Sequence, residues 1–173
     1  MIIREAKEQD AESIVNININ GWVKTYHGIF PNEFLEKLEQ KKSESIEKCK
    51  NKINEYIVCE MENKVVGFLR CGKNKKGYDE KYAEVYALYI DSQYQKRGIG
   101  RKLLEYSFIK LKDIYDNVLI STLQENSATK FYEKCGGKQI DTCCFKLDNM
   151  EYKENLYLFN YYICYMFNKY YLL

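Results

Sequence analysis

Two glycines one residue apart, Gly98-Ile99-Gly100, stand between a polar segment and a stretch whose apolar residues Leu103, Leu104, Phe108 and Leu111 share a helical face. Before them, Glu84-Val85-Tyr86-Ala87-Leu88-Tyr89-Ile90 reads as a strand. The pattern is strand, polar turn, glycine-spaced helix start. A helix start carries unpaired N–H groups and a partial positive charge. Glycines there let the backbone approach a phosphate without Cβ atoms in the way. The chemistry on offer is anion binding, above all of a pyrophosphate. Two familiar phosphate frames do not fit. A dinucleotide fingerprint needs a third glycine where this chain has Leu103, and a tighter strand-to-helix turn. A P-loop needs Gly-Lys-Ser/Thr, which does not follow.

The glycine turn must be carried by a core of adequate size. At 173 residues with a net charge of +2, the chain suits one domain and has no charge bias toward nucleic acid or an anionic membrane. The start, Met1-Ile2-Ile3-Arg4-Glu5, lacks the basic-then-apolar pattern of a signal peptide, and no apolar run approaches the ~18–20 residues of a membrane span. Cytoplasmic localisation is expected, with neither nucleic acid nor membrane as a partner. The seven cysteines are scattered without a Cys-x-x-Cys pair, and the lone His27 does not complete a zinc site. Reduced thiols packed as small hydrophobes, and no metal, are the expectation.

The other elements follow from periodicity. Ile2-Ile3-Arg4 is a short strand, and Ala11, Ile14, Val15 and Trp22 mark one helix face. No good capping side chain stands at Lys7-Glu8. Pro31 opens a second helix, and the Lys/Glu-rich run from Lys37 to Lys52 reads as a solvated helical face. A hairpin spans Glu55–Arg70 with its turn at Glu62-Asn63-Lys64. A basic, glycine-bounded loop covers Gly72–Gly77. After the glycine turn and its helix come a buried-type strand over Asn117–Thr122, a short helix with Ala128, Phe131 and Tyr132, and two strands near Gln139–Lys146 and Tyr152–Phe159. The order predicts an α/β sandwich with a mixed sheet of about seven strands and about four helices.

Gln95-Lys96-Arg97-Gly98-Ile99-Gly100 resembles the (Arg/Gln)-x-x-Gly-x-(Gly/Ala) motif of the GCN5-related N-acetyltransferases. Asn126-Ser127-Ala128-Thr129-Lys130-Phe131-Tyr132-Glu133-Lys134-Cys135-Gly136-Gly137 is similar to that family's second cofactor motif, Asn-x-x-Ala-x-x-Phe-Tyr-x-x-x-Gly-Phe. It departs at Gly137, which replaces the usual Phe and leaves the start of the next strand open. Trp22 to Leu35 resembles a Trp-x-x-x-Tyr-x-Gly-x-x-Pro segment of bacterial members with small or unassigned substrates. With the element order, the resemblance runs from the first strand to about Phe159. It implies a single transferase domain over residues 1–159. Residues 160–173, an aromatic extension past the usual family end, would be an aggregation liability if left exposed, and are expected to pack on the domain or pair with a second subunit. Homodimers are common in the family.

The resemblance also implies roles. Acetyl-CoA is the cofactor and coenzyme A the product. The strand before the glycine turn is bulged and splayed, so that Leu88 N–H faces the acetyl carbonyl and Ile90, beside Tyr89, pairs with the pantetheine. Gln95, Lys96, Arg97, Gly98, Ile99, Gly100 and Arg101 wrap the pyrophosphate, and Asn126 joins the cofactor site. Tyr132 touches the cofactor and is the general-acid candidate for the departing thiolate. Glu84 is the general-base candidate, acting through water. Trp22, Tyr26, His27 and Phe30 line the acceptor site, although Trp22 and Tyr26 share a helical face and equally suit a core. The implied reaction is direct acetyl transfer to a primary amine in a ternary complex. A small-molecule acceptor is expected, with a protein N-terminus or lysine as the alternative. A non-catalytic acyl-CoA sensor is the rival reading.

Overall fold

The computed structural model describes residues 1–147 and 150–161. From Tyr162 on, the aromatic extension lies outside the described residues. The strands are β1 (Ile2–Glu5), β2 (Tyr56–Met61), β3 (Lys64–Lys73), β4 (Tyr82–Ile90), β5 (Asn117–Leu123), β6 (Lys138–Leu147) and β7 (Met150–Asn160). The helices are α1 (Ala11–Tyr26), α2 (Asn32–Gln40), α3 (Lys42–Lys50), α4 (Ile99–Leu111) and α5 (Ala128–Lys134). The strands form one seven-stranded sheet in the order β1-β2-β3-β4-β5-β7-β6. β4 and β5 run parallel, whereas β1–β2, β2–β3, β5–β7 and β6–β7 are antiparallel, so the sheet is mixed as expected.

Five α-helices stand among the described residues where about four were expected. The extra one arises because the Lys/Glu-rich run breaks at Lys41, which leaves the helical region between α2 and α3. A run of exposed charges carries no period to betray such a break. The start of α1, for which Lys7-Glu8 offers no cap, is set by the turn before it. A short 3₁₀ turn over Glu8–Asp10 precedes it, and the Asp10 carboxylate accepts the Lys7 N–H at 2.8 Å. The hairpin turn stands where it was read: Glu62 and Asn63 have φ of 52° and 59°, the left-handed pair that a two-residue turn demands.

The chain divides into two compact units: Met1–Arg70 with Ala87–Ser107, and Cys71–Tyr86 with the chain from Phe108 on. The core of the first holds Ile14, Val15, Cys49, Val58 and Phe68, with Ala87 and Tyr89 packed against it. Arg4 binds Asp10 and Glu60 there, each at 2.7 Å. In the second, α5 packs on one face of β7, with the Tyr132 ring centroid 6.0 Å from Tyr157 and 6.4 Å from Phe159. A Cβ on Gly137 would meet Phe159 Cζ at 2.6 Å, so the side chain missing at 137 makes room for Phe159. β6 then starts directly at Lys138.

Candidate active site

The parallel ladder between β4 and β5 pairs Tyr82–Val85 with Asn117–Ile120 and ends there. Yet β4 continues to Ile90 and β5 to Leu123. β5 stays bonded to β7 over this stretch, through Ser121↔Leu156 and Leu123↔Glu154. The far half of β4, with Leu88 and Ile90, therefore lies beyond the last β4–β5 pair. An extended guest chain pairs with strand backbone of this kind.

In the first unit, the end of β4 is held from β3. Asp91 N–H donates to the Val66 carbonyl at 2.9 Å, and Gly67 lets the strands close, since a Cβ there would meet Ile90 Cγ1 and the Tyr89 carbonyl oxygen at 3.2 Å. A 3₁₀ turn over Ser92–Tyr94 follows, capped by the Asp91 carboxylate on Gln93 N–H. Lys96 (φ 60°) and Gly98 (φ 78°) then take left-handed conformations. The first α4 bond outside the regular ladder runs from Lys102 N–H to the Gly98 carbonyl, so Ile99 and Gly100 supply the leading N–H groups of the helix. A Cβ on Gly98 would meet nothing within 4 Å. Open space beside a left-handed glycine at the start of a 13-residue helix suits a pyrophosphate.

The side chains of this turn are engaged with their own chain. Gln95 Nε2 donates to the Ile90 carbonyl at 3.1 Å. Arg97 donates to the Gln93 carbonyl and lies over the Tyr94 ring. Arg101 pairs with Glu105, one helical turn on, at 3.0 Å. Asn126 is engaged locally as well, where its Oδ1 accepts the Ala128 N–H at 2.9 Å, at the start of α5.

Tyr132 is 7% exposed, within the ring cluster of Phe131, Tyr157 and Phe159. Glu84 is equally buried, and its Oε2 accepts the Lys75 N–H at 2.9 Å. It pairs with Leu119 of β5, which pairs in turn with Leu158 of β7. The basic segment over Gly72–Gly77, expected as a loop, has its first two residues in β3 and belongs to the second unit. Tyr86 OH donates to the Lys73 carbonyl, Lys75 Nζ lies 3.9 Å from the Tyr86 ring centroid, and Lys76 Nζ pairs with Glu154 at 3.1 Å. Lys76 and Glu154 carry no motif, and only a register that places β7 beside β5 reveals them.

In the first unit, Trp22, Tyr26, Phe30 and Phe34 form one aromatic cluster with neighbouring centroids 4.8–5.8 Å apart. Tyr26 and Phe30 are buried, whereas Trp22 and Phe34 are half-buried and His27 is exposed. Phe34 holds no motif position and adds to the candidates Trp22, Tyr26, His27 and Phe30. No helical spacing announces it, because Phe30 lies outside both helices and Pro31 between them is extended.

A family model described as an acetyltransferase (GNAT) domain matches residues 52–136. An uncharacterized N-acetyltransferase of Bacillus subtilis, YuaI, is 26% identical over 156 residues, which cover 88% of each chain. Spermidine N(1)-acetyltransferase of Thermoplasma acidophilum is 28% identical over 152 residues, covering 81% of this chain and 89% of that protein. Among solved structures, the PaiA N-acetyltransferase of Thermoplasma acidophilum in complex with coenzyme A matches with a TM-score of 0.70 at 24% identity, covering 89% of this chain and 96% of that one. The Salmonella typhimurium protein yncA, solved with its cofactor acetyl-CoA, matches at 0.67 and 16%, covering 93% and 94%. Motif, fold and relatives point the same way: residues 52–136 match the acetyltransferase (GNAT) domain, and over most of its length the chain is similar to N-acetyltransferases, among them one solved with coenzyme A and one with acetyl-CoA.

Proposed function

We propose that the chain acetylates a primary amine of a small molecule by direct transfer within a ternary complex. The observation that carries this reading is the β4–β5 ladder ending at Val85↔Ile120 just ahead of the Gly98 turn. It leaves β4 backbone for a pantetheine arm and a helix start for its pyrophosphate. When bound, acetyl-CoA supplies the thioester. The N–H groups from Gly98 to Arg101 hold the anion, and the backbone of Leu88, Tyr89 and Ile90 orients the acyl arm. Glu84 accepts the proton that the amine sheds, and Tyr132 holds a proton for the leaving sulfur. Trp22 and Phe34 offer ring surface to the acceptor, with Tyr26 and Phe30 as the packing behind them.

Direct transfer is favoured over an acyl-cysteine route by the thiols themselves. Burial pushes Cys49, Cys59 and Cys143 above the ordinary thiol value, and a hydrogen bond with Glu151 does the same for Cys144. None of these four is an activated nucleophile. The small-molecule acceptor is supported by the spermidine-acetylating relative. No helix among the described residues is long and apolar enough to cross a membrane.

The test is mass-spectrometric detection of product with acetyl-CoA and a panel of polyamines, amino acids, aminoglycosides and short peptides. An acetylated small amine is expected. Product on peptides alone overturns the acceptor class. Tight acetyl-CoA binding with no product supports a sensor in place of an enzyme.

A further inference from the structure

The registers of the second unit put several polar groups on one face of the sheet. Residues paired across a ladder share a face, and every second residue along a strand returns to it. Glu84 pairs with Leu119, so Ser121 and Leu123 of β5 lie on that face. Leu123 pairs with Glu154 of β7, and Glu154 with Cys143 of β6. Asp141, two residues before Cys143, shares the face as well. Four residues along and two strands across separate Glu84 from Glu154, roughly 16 Å between Cα atoms at ~3.3 Å per residue and ~4.8 Å per strand.

A lysine from the β3–β4 loop enters this face. Lys76 is half-buried, and its ammonium pairs with Glu154 at 3.1 Å. Burial pushes the ammonium down, but Glu154 outweighs it by charge and hydrogen bond, with help from Cys143 and Glu84, and the net is a rise above the ordinary lysine value. Tyr78 OH approaches Asp141 at 3.5 Å and Cys143 Sγ approaches Glu154 at 3.8 Å. Ser121 Oγ, one residue past the last β4–β5 pair and on this face, is shut from solvent with no hydrogen-bond partner. The oxygen of the Asn74 carboxamide, on the same loop as Lys76, is in the same condition. A face that already holds one alkylammonium, and has an unsatisfied hydroxyl between its two carboxylates, is built for cationic nitrogen.

We propose that the acceptor carries two amino groups on a flexible chain, and that Glu154 binds the distal ammonium, whose place Lys76 takes in the free enzyme. This rests on the amine-acetylating reading and on Glu84 as base. The reacting nitrogen loses its proton toward Glu84 while the other stays charged on Glu154. Ser121 Oγ accepts from the chain between them when that chain bears a secondary amine. Monoamines lack the distal contact, and Lys76 must swing away before a diamine binds fully.

The experiment compares initial rates with acetyl-CoA for butylamine and 1,4-diaminobutane. Wild type is expected to favour the diamine at least ten-fold in kcat/KM. Glu154→Gln should erase that preference, acting mainly on KM. Lys76→Met, which removes the internal competitor, should lower the diamine KM at least three-fold. Equal kcat/KM for the two amines in wild type, or a preference that survives Glu154→Gln, overturns the proposal. If neither amine turns over, the amine-acetylating reading fails by itself. Calorimetry of 1,4-diaminobutane with coenzyme A present then decides the subsite. Binding weakened ten-fold or more by Glu154→Gln upholds it, and no binding, or binding indifferent to Glu154, overturns it.

Discussion

The Tyr89 ring of β4 lies directly on the bare Cα of Gly21 in α1, where a Cβ on residue 21 would stand 2.9 Å from Cε1 and 3.1 Å from Cγ of that ring. A glycine inside a helix costs about 1 kcal/mol relative to alanine, and here it makes room for the strand residue between Leu88 and Ile90. Gly21→Ala is expected to destabilise by about 1–2 kcal/mol, because overpacking of ~1–3 kcal/mol outweighs the gain in helix propensity. In a Tyr89→Ala background the same change should become stabilising by about 1 kcal/mol. Urea unfolding of the double-mutant cycle checks both signs.

At Gly98 the space is open but the backbone is left-handed. Gly98→Ala should therefore cost stability, about 1 kcal/mol of backbone strain, without a clash. Gly98→Trp adds bulk where the anion is proposed to sit. Its coenzyme A affinity should fall at least a hundred-fold by calorimetry, while its melting temperature stays near that of Gly98→Ala. Retained affinity would place the pyrophosphate elsewhere.

Tyr132→Phe keeps the ring among Phe131, Tyr157 and Phe159 and removes only the hydroxyl. If the phenol protonates the leaving thiolate, kcat should drop roughly 100-fold, the low end of general-acid effects, with acetyl-CoA affinity within two-fold. An unchanged kcat would reduce Tyr132 to a packing residue.

Acid should reveal the Arg4–Asp10 pair. Burial raises the Asp10 carboxyl, but hydrogen bonds and charge from Arg4, with the Lys7 N–H, bring it below the ordinary 3.8. A carboxyl depressed in the folded state contributes stability that is complete above its unfolded value and is lost as pH falls through the folded one. Wild-type stability should therefore decline below about pH 4, and Asp10→Asn should be less stable at neutral pH but lose less on acidification. Thermal melts from neutral pH down to about pH 3 read the crossover, and parallel curves would refute the linkage.

Much of the frame is legible in the sequence because its signals are backbone requirements. Gly98 and the Glu62-Asn63 turn announce left-handed residues, and Pro31 announces a helix start. The register that pairs Tyr82–Val85 with Asn117–Ile120 is invisible, since the apolar run of β4 reads the same whatever it pairs with. The pairing of Lys76 with Glu154 is equally hidden. A lysine in a basic loop looks solvated until β7 is placed beside β5. Phe34 of α2 meets Phe30 and Trp22 across the break between the two helices, a contact that no helical spacing announces.

β7 follows β6 in the chain but is inserted between β5 and β6. As the nascent chain leaves the ribosome, β5 and β6 emerge with no edge to share. β6 must wait for the residues after Met150 to fold back on it, and β5, already beside β4, keeps one edge bare until the same residues arrive. The β6–β7 hairpin is local, but the β5–β7 pairing spans a long stretch of chain and closes last, so the interval before it is when that edge is most exposed to aggregation. Damage that halts synthesis inside β7 therefore leaves β6 without a partner and β5 with a bare edge.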